Sequence, residues 1–333
     1  MKKTLAMVLA GIMVVASLTA CGSSAEETTA ETTAETTAEN TAADDGKTYK
    51  IGVLQLVEHA ALDASNEGFV AALDDAGISY EIDQQNAQND LTACQTIAEK
   101  LVNDGDDLIL AIATPAAQAV AGVTTEIPIV GTAITDFAAS GLAASNDAPG
   151  GNVTGSSDLT PIEAQINLVQ KVLPDIKTLG VLYCSAESNS SIQLDMTKEA
   201  CKAAGIEVVE YAVSSSNEIQ SVVESAVGNV DALYSFTDNT IAAGMSTVAM
   251  VANDNNLPVI VGEEGMVNAG GLCTYSIDYY ELGYIAGQMA VKILTEGADP
   301  ATMPIEYYPE DKCTFIGNED TANTLGIDIS GLE

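Results

Sequence analysis

The chain contains no arginine, no tryptophan and a single histidine, His59. All eleven basic residues are lysines, set against 48 acidic ones, for a formal net charge of −37. So acidic a chain lacks the basic surface that phosphate binding needs, and nucleic acid is not expected as a partner. Without arginine, a ligand carboxylate cannot be gripped by a bidentate guanidinium; backbone N–H groups, hydroxyls or a lysine must hold it. One isolated histidine supports neither a metal site nor a catalytic triad. The GxSxG, P-loop, HExxH and GxGxxG patterns are absent as well, so no enzyme activity, cofactor or metal is expected. CxxC is also missing. Beyond Cys21 the cysteines are Cys94, Cys184, Cys201, Cys273 and Cys313, an odd number whose spacing assigns no disulfide and which read as buried thiols.

Only one long apolar run exists, and it lies at the N-terminus. Lys2 and Lys3 precede an uncharged stretch over 5–18, too short to span a bilayer comfortably, which ends in Leu18-Thr-Ala-Cys21. This pattern predicts a lipoprotein export signal over 1–20, with lipidation and cleavage at Cys21 and work outside the cytoplasm; the competing reading is an ordinary signal with a chance cysteine. Residues 21–47 repeat Glu-Thr-Thr-Ala and contain no large apolar side chain. Such a segment buries too little surface to offset its ordering entropy. It reads as a disordered tether, or alternatively as an acidic interaction tail.

The remaining body is α/β. Strands are expected over 50–56, 79–83, 107–113 and 128–132, with helices over 62–76, 90–103 and 115–123 between them. The second half repeats the plan: strands over 178–183, 207–213, 231–236 and 258–261, and helices over 189–204, 217–227 and 240–253. Ile51-Gly-Val-Leu matches Leu179-Gly-Val-Leu, Asp107-Leu-Ile-Leu matches Asp231-Ala-Leu-Tyr, and Ile127-Pro-Ile-Val matches Leu257-Pro-Val-Ile. The fold expected is two Rossmann-like lobes with parallel sheets joined by a hinge. Lobe 1 takes 48–156 plus 277–308, and lobe 2 takes 157–276 plus 309–333. Thr160-Pro-Ile-Glu163 reads as a capping box opening a helix just after the join, and a helix over 279–294 precedes a further strand pair.

Parallel sheets bind ligands at the carboxyl ends of their strands, and two lobes face two such edges across one cleft. The candidate binding residues are therefore Gln55, Glu58, His59, Thr114, Ala116, Thr135 and Asp136 from lobe 1. Lobe 2 offers Ser185, Ser188, Asn189, Ser190, Thr237, Asp238, Asn239 and Glu263. Thr114 and the amides beside it open a helix and suit a carboxylate, with the turn over 188–190 opposite. Asp238, assisted by Asp136 or Glu263, suits an ammonium. Asn189, Ser190 and Asp238 also read as plain helix caps, and Glu263 as a solvated loop charge. His59 either hydrogen-bonds a ligand or lines its loop.

Several stretches resemble a known family. They are Ile51-Gly-Val-Leu-Gln-Leu-Val-Glu-His-Ala-Ala-Leu-Asp63, Leu110-Ala-Ile-Ala-Thr-Pro-Ala-Ala-Gln118, Gly151-Asn-Val-Thr-Gly155, Ser157-Asp-Leu-Thr-Pro161, Thr237-Asp-Asn-Thr240, Val261-Gly-Glu-Glu-Gly-Met266 and Ile277-Asp-Tyr-Tyr-Glu-Leu-Gly283. These resemble the solute-binding lipoproteins of ATP-driven (ABC) importers, with the type I periplasmic-binding fold, in the group associated with tryptophan and other aromatic amino acids. The resemblance runs from about residue 49 to the C-terminus. It departs at Ile134-Thr-Asp-Phe137, where the family tends to have Thr-Asp-Pro. It implies a monomer that takes an aromatic amino acid (Trp, Tyr or Phe) into the cleft, without a cofactor, and delivers it to an ABC permease and, through that, an ATPase. A ligand-sensing co-receptor using the same clamp, or import of another small metabolite, are the alternatives.

Overall fold

A computed structural model describes residues 46–332; the expected export signal, Cys21 and the expected tether up to residue 45 lie outside the described residues. The first half builds β1 (Thr48–Gln55), α1 (Ala60–Asp75), β2 (Ser79–Asn86), α2 (Leu91–Asp104), β3 (Leu108–Ile112), α3 (Thr114–Ala121), β4 (Ile129–Ile134) and β5 (Val153–Ser157). The second builds α4 (Ile162–Val172), β6 (Thr178–Cys184), α5 (Ser188–Ala204), β7 (Glu207–Val213), α6 (Ile219–Ala226), β8 (Ala232–Ser235), α7 (Asn239–Ala243), α8 (Met245–Asp254), β9 (Val259–Val261), α9 (Glu264–Asn268) and β10 (Cys273–Ser276). Then come α10 (Tyr279–Glu296), β11 (Glu306–Tyr307), β12 (Thr314–Gly317) and α11 (Glu319–Leu325).

Lobe 1 holds a parallel six-stranded sheet in the order β11-β5-β4-β3-β1-β2, and lobe 2 a parallel four-stranded sheet in the order β7-β6-β8-β9. β10 and β12 pair antiparallel beside the latter. Every residue of β3 and β4 is buried, as continuous apolar strands must be when helices cover both faces of a sheet. The chain crosses between lobes after β5, after β10 and after β11, and strand crossings of this kind form a hinge.

The internal repeat extends to atoms. β1 pairs β3 with Ile51 opposite Leu108, and β6 pairs β8 with Leu179 opposite Ala232. At the same place in each lobe a carboxylate accepts from the start of the first strand: Asp107 from Lys50 N at 2.9 Å, and Asp231 from Lys177 N and Thr178 N at 2.8 Å.

Three expectations need correcting. The single helix expected over 240–253 is two, α7 and α8, broken at Gly244, where a Cβ would run into the Ile219 side chain. The capping box does not form: α4 starts at Ile162 behind Pro161 with no side-chain cap, and the Thr160 hydroxyl is buried without a partner. The last two strands pair with β5 and β10 rather than with each other.

Candidate functional site

Two helices carry the lobe 1 side of the site. α10 returns the chain to lobe 1 and lies along α1 in the same direction, because glycines let the backbones touch. A Cβ at Gly283 would run into the Ser65 carbonyl, one at Gly68 into the Tyr280 carbonyl, and one at Gly287 into Phe69 and Ala72. Both helices therefore start at the same end, and their first residues, His59, Leu62 and Tyr279, meet at the cleft.

There they line a narrow cleft, partly open to solvent, whose cavity volume of about 10 Å³ is no more than a single water needs. Its other walls are Asp158 from the first crossing, Thr237, Asp238, Asn239 and Ala242 from the β8–α7 turn, and Glu263 from the β9–α9 turn. Three buried carboxyl groups line it and no lysine does. A charge in so poorly solvated a place is costly unless paired.

The three differ in what already holds them. Asp238 caps α7 and accepts from Ile241 N at 2.9 Å, and from Cys184 N and Ser190 Oγ at 2.6 Å each. Glu263 caps α9 and accepts from Gly265 N at 2.5 Å and Met266 N at 2.8 Å. Asp158 accepts from the Tyr279 hydroxyl at 2.9 Å through Oδ2, while its Oδ1 is buried with no well-formed hydrogen bond. Burial pushes the Asp158 carboxyl up to about 6, and the Tyr279 hydroxyl, with a smaller share from Thr135, offsets part of that. Burial, with the nearby Glu187 charge, pushes Asp238 up to about 7, and burial alone is the chief cause for Glu263, also about 7.

Behind the wall lies Glu187, a residue that sequence reasoning passed over. It accepts from Thr240 N (2.9 Å), Thr240 Oγ1 (2.8 Å), Asn239 N (3.3 Å), Asn239 Nδ2 (2.7 Å) and Asn189 Nδ2 (3.2 Å). Its partners at 239 and 240 lie more than fifty positions away in sequence, so no local pattern reveals it. Asp158 was missed because its stretch read as a helix start, and Gln193 because it sits inside α5. Gln193 accepts from Thr237 Oγ1 at 3.0 Å and donates to the Thr237 carbonyl at 3.0 Å and Thr135 Oγ1 at 3.4 Å.

The other expected residues fall into distinct places. Gln55 is buried and donates to the Val57 carbonyl and to Asp63, shaping the loop that carries His59. Glu58 is exposed. Asp136 faces its own loop, where it accepts from Ala139 N and Asn146 Nδ2. Ser185 is exposed and donates to the Val213 carbonyl. Thr114 and Ala116 are buried at the start of α3, outside the cavity lining. Ser188 stands opposite them and donates to Gln118 at 3.3 Å.

The lobes are drawn together. His59 Nε2 lies 3.3 Å from Asn239 Oδ1, Asn89 donates to Thr240 Oγ1 at 2.9 Å, and the Gln118–Ser188 and Thr135–Gln193 pairs also cross the cleft. Among the described residues no cluster of His, Cys, Asp and Glu is placed to hold a metal, and no helix is long and apolar enough to cross a membrane.

The family model for ABC transporter substrate binding proteins matches residues 50–331. The chain belongs to the ABC transporter substrate-binding protein family. This is a family of transport components rather than enzymes, working outside the cytoplasm with the other parts of an ABC transporter. The chain is similar to a tyrosine-binding protein of Clostridioides difficile strain R20291, at 42% identity over 332 residues, 97% of this chain and 92% of the relative. An ABC domain from Streptococcus pneumonia, solved in complex with L-Trp, is 37% identical, with a TM-score of 0.82 over 86% of this chain and 97% of that one. The ligand-free, open structure of a substrate-binding protein with adhesive properties from Clostridium difficile is 42% identical over the same shares, with a TM-score of 0.65. Similarity of sequence and of shape thus run in opposite order. In overall shape the chain is more similar to the liganded relative than to the open one.

Proposed function

We propose that this chain captures an aromatic α-amino acid, tyrosine or tryptophan foremost, and that a lipid on Cys21 holds it beside the permease it supplies. The observation that carries the reading is a cleft lined by three buried carboxyl groups and no lysine, one of them, Asp158, with an oxygen that makes no well-formed hydrogen bond. Such a cleft calls for a cationic group from the ligand. The ammonium is assigned to Asp158 Oδ1, with Glu263 and Asp238 supplying field from behind. The ligand carboxylate is assigned to the start of α3, where Ala113 provides no side-chain cap and no acidic residue occupies the first turn. Leu62, Ala242 and Tyr279 offer the ring its contacts. The names of the similar proteins support this choice, since one is a tyrosine-binding protein and another was solved with L-Trp.

Calorimetry with tyrosine, tryptophan and phenylalanine, together with mass spectrometry of ligand retained through native purification, tests the reading. Binding of at least one of the three is expected; binding of none would overturn it. For the anchor, Cys21→Ser should move the protein out of the membrane fraction, and unchanged fractionation would refute it.

A further inference from the structure

His59 is the only histidine in the chain, and its Nδ1 is buried at the cavity without a hydrogen-bond partner. What that nitrogen can do depends on where the ring proton sits, and a chain of contacts from lobe 2 decides it. Glu187 receives N–H or O–H donors on both carboxylate oxygens. It is therefore an acceptor toward Asn239, and the Asn239 amide must turn its Nδ2 to Glu187, at 2.7 Å. Asn239 Oδ1 is then left facing His59 Nε2 at 3.3 Å. A carbonyl oxygen accepts, so Nε2 must carry the proton. Burial lowers the imidazole pKa and keeps the ring neutral, which leaves Nδ1 bare.

We propose that His59 is a specificity residue whose Nδ1, held as an acceptor through Glu187 and Asn239, takes a hydrogen bond from a donor on the ligand ring, a phenol O–H or an indole N–H. This rests on the aromatic amino-acid reading and refines it: the cleft selects tyrosine or tryptophan over phenylalanine. The division of labour follows from charge. Asp158 is a buried carboxyl that accepts from the Tyr279 hydroxyl at 2.9 Å, and it is the acceptor suited to an ammonium. His59 is kept neutral by burial and stands against Asn239, and a neutral acceptor suits a neutral donor. Phenylalanine would leave Nδ1 unpaired where tyrosine pairs it, so it should bind about tenfold or more weakly than tyrosine. Glu187 touches no ligand here; it is a positioning residue.

A lone histidine makes the test free of assignment. In ¹⁵N spectra of the full-length protein near pH 7, the one imidazole should show the Nε2–H tautomer, and its Nδ1 resonance should move on adding tyrosine but far less on adding phenylalanine. In calorimetry, His59→Phe should erase the preference for tyrosine. Glu187→Gln can donate as well as accept, so it frees the Asn239 amide to turn. That variant should shift the tautomer toward Nδ1–H and shrink the tyrosine preference, an effect that a purely structural role would not produce. Should Glu187→Gln fail to fold, the wild-type tautomer and His59→Phe decide the matter alone. An Nδ1–H tautomer in the wild type, equal affinity for phenylalanine and tyrosine, or an unchanged preference in His59→Phe would each overturn the proposal. If the wild type binds none of the three, the aromatic reading fails and the selectivity with it. If it binds phenylalanine as well as tyrosine, the reading stands and only this inference falls.

Discussion

The turn from β3 into α3 and the turn from β8 into α7 occupy the same step of a repeated plan, yet they are opposite in chemistry. In lobe 2, Asp238 caps the helix and accepts three hydrogen bonds, and Glu187 closes over the same helix start from outside. In lobe 1, the matching position is Ala113, with no capping side chain and a φ of 83°, a left-handed value that alanine adopts only at a cost of about 1–3 kcal/mol. One lobe faces the cleft with carboxylates whose donors are already supplied; the other faces it with a bare helix start. An amino acid carries opposite charges on neighbouring groups. A duplicated fold whose halves have diverged in this way can take one charge on each side, and closing the lobes then engages both. Neither half does this alone, which ties binding to closure.

That asymmetry can be broken at either side. Asp158→Asn should have the largest effect: it keeps an acceptor for the Tyr279 hydroxyl but removes the charge, so affinity for tyrosine should fall roughly a hundredfold or more. Melting should stay level or rise, because an ill-solvated charge is gone. Asp238→Ala should act mainly on folding. Losing an acceptor for three buried donors should cost about 2–4 kcal/mol in urea unfolding, and a variant as stable as the wild type would show that Asp238 is not the structural cap described above. In lobe 1, Thr114→Ala, beside the uncapped position at Ala113, should cost under about 1 kcal/mol in stability but weaken ligand binding roughly tenfold.

Proton linkage gives a subtler test. The folded pKa values of Asp158, Asp238 and Glu263 are raised to about 6, 7 and 7. The folded protein thus holds protons that the unfolded chain releases near pH 4. The stability of the ligand-free protein should be fullest below about pH 4, as far as these groups contribute, and fall as pH rises through 6 to 7. A bound ammonium replaces those protons, so affinity should rise over the same window, by up to about tenfold per pH unit for each proton displaced. Thermal melts and calorimetry at pH 5 and pH 8 check both signs. The smallest effect belongs to the tether: deleting residues 23–46 should change affinity less than about twofold, since the segment has nothing with which to build a site.

Much of the fold was legible because it is periodic. The succession of strands and helices in each lobe and the matched strand starts at Ile51 and Leu179, and at Asp107 and Asp231, follow from short apolar runs and their punctuation. The site was legible only by region. Position after a strand brought forward His59, Asp238, Asn239 and Glu263, which line the cavity, but equally Glu58, which is exposed, and Asp136, which serves its own loop. Asp158 and Glu187 matter through partners far off in the chain, Tyr279 and the pair at 239–240. A pattern that repeats every two or 3.6 residues carries no information about such pairs. The break at Gly244 escaped for a similar reason, since the apolar spacing runs on through it while the Ile219 side chain prevents a larger residue there.

The most direct test of the central claim, that the buried cleft carboxyl groups, Asp158 foremost, recognise the ligand by its ammonium, compares tyrosine with its des-amino analogue, 3-(4-hydroxyphenyl)propionate, in calorimetry on the wild-type protein. The two share ring, hydroxyl and carboxylate. Tyrosine should bind, and the analogue should bind at least about a hundredfold more weakly, because it leaves Asp158 without a cation and brings only negative charge to an acidic cleft. Equal affinity for the two would contradict the claim.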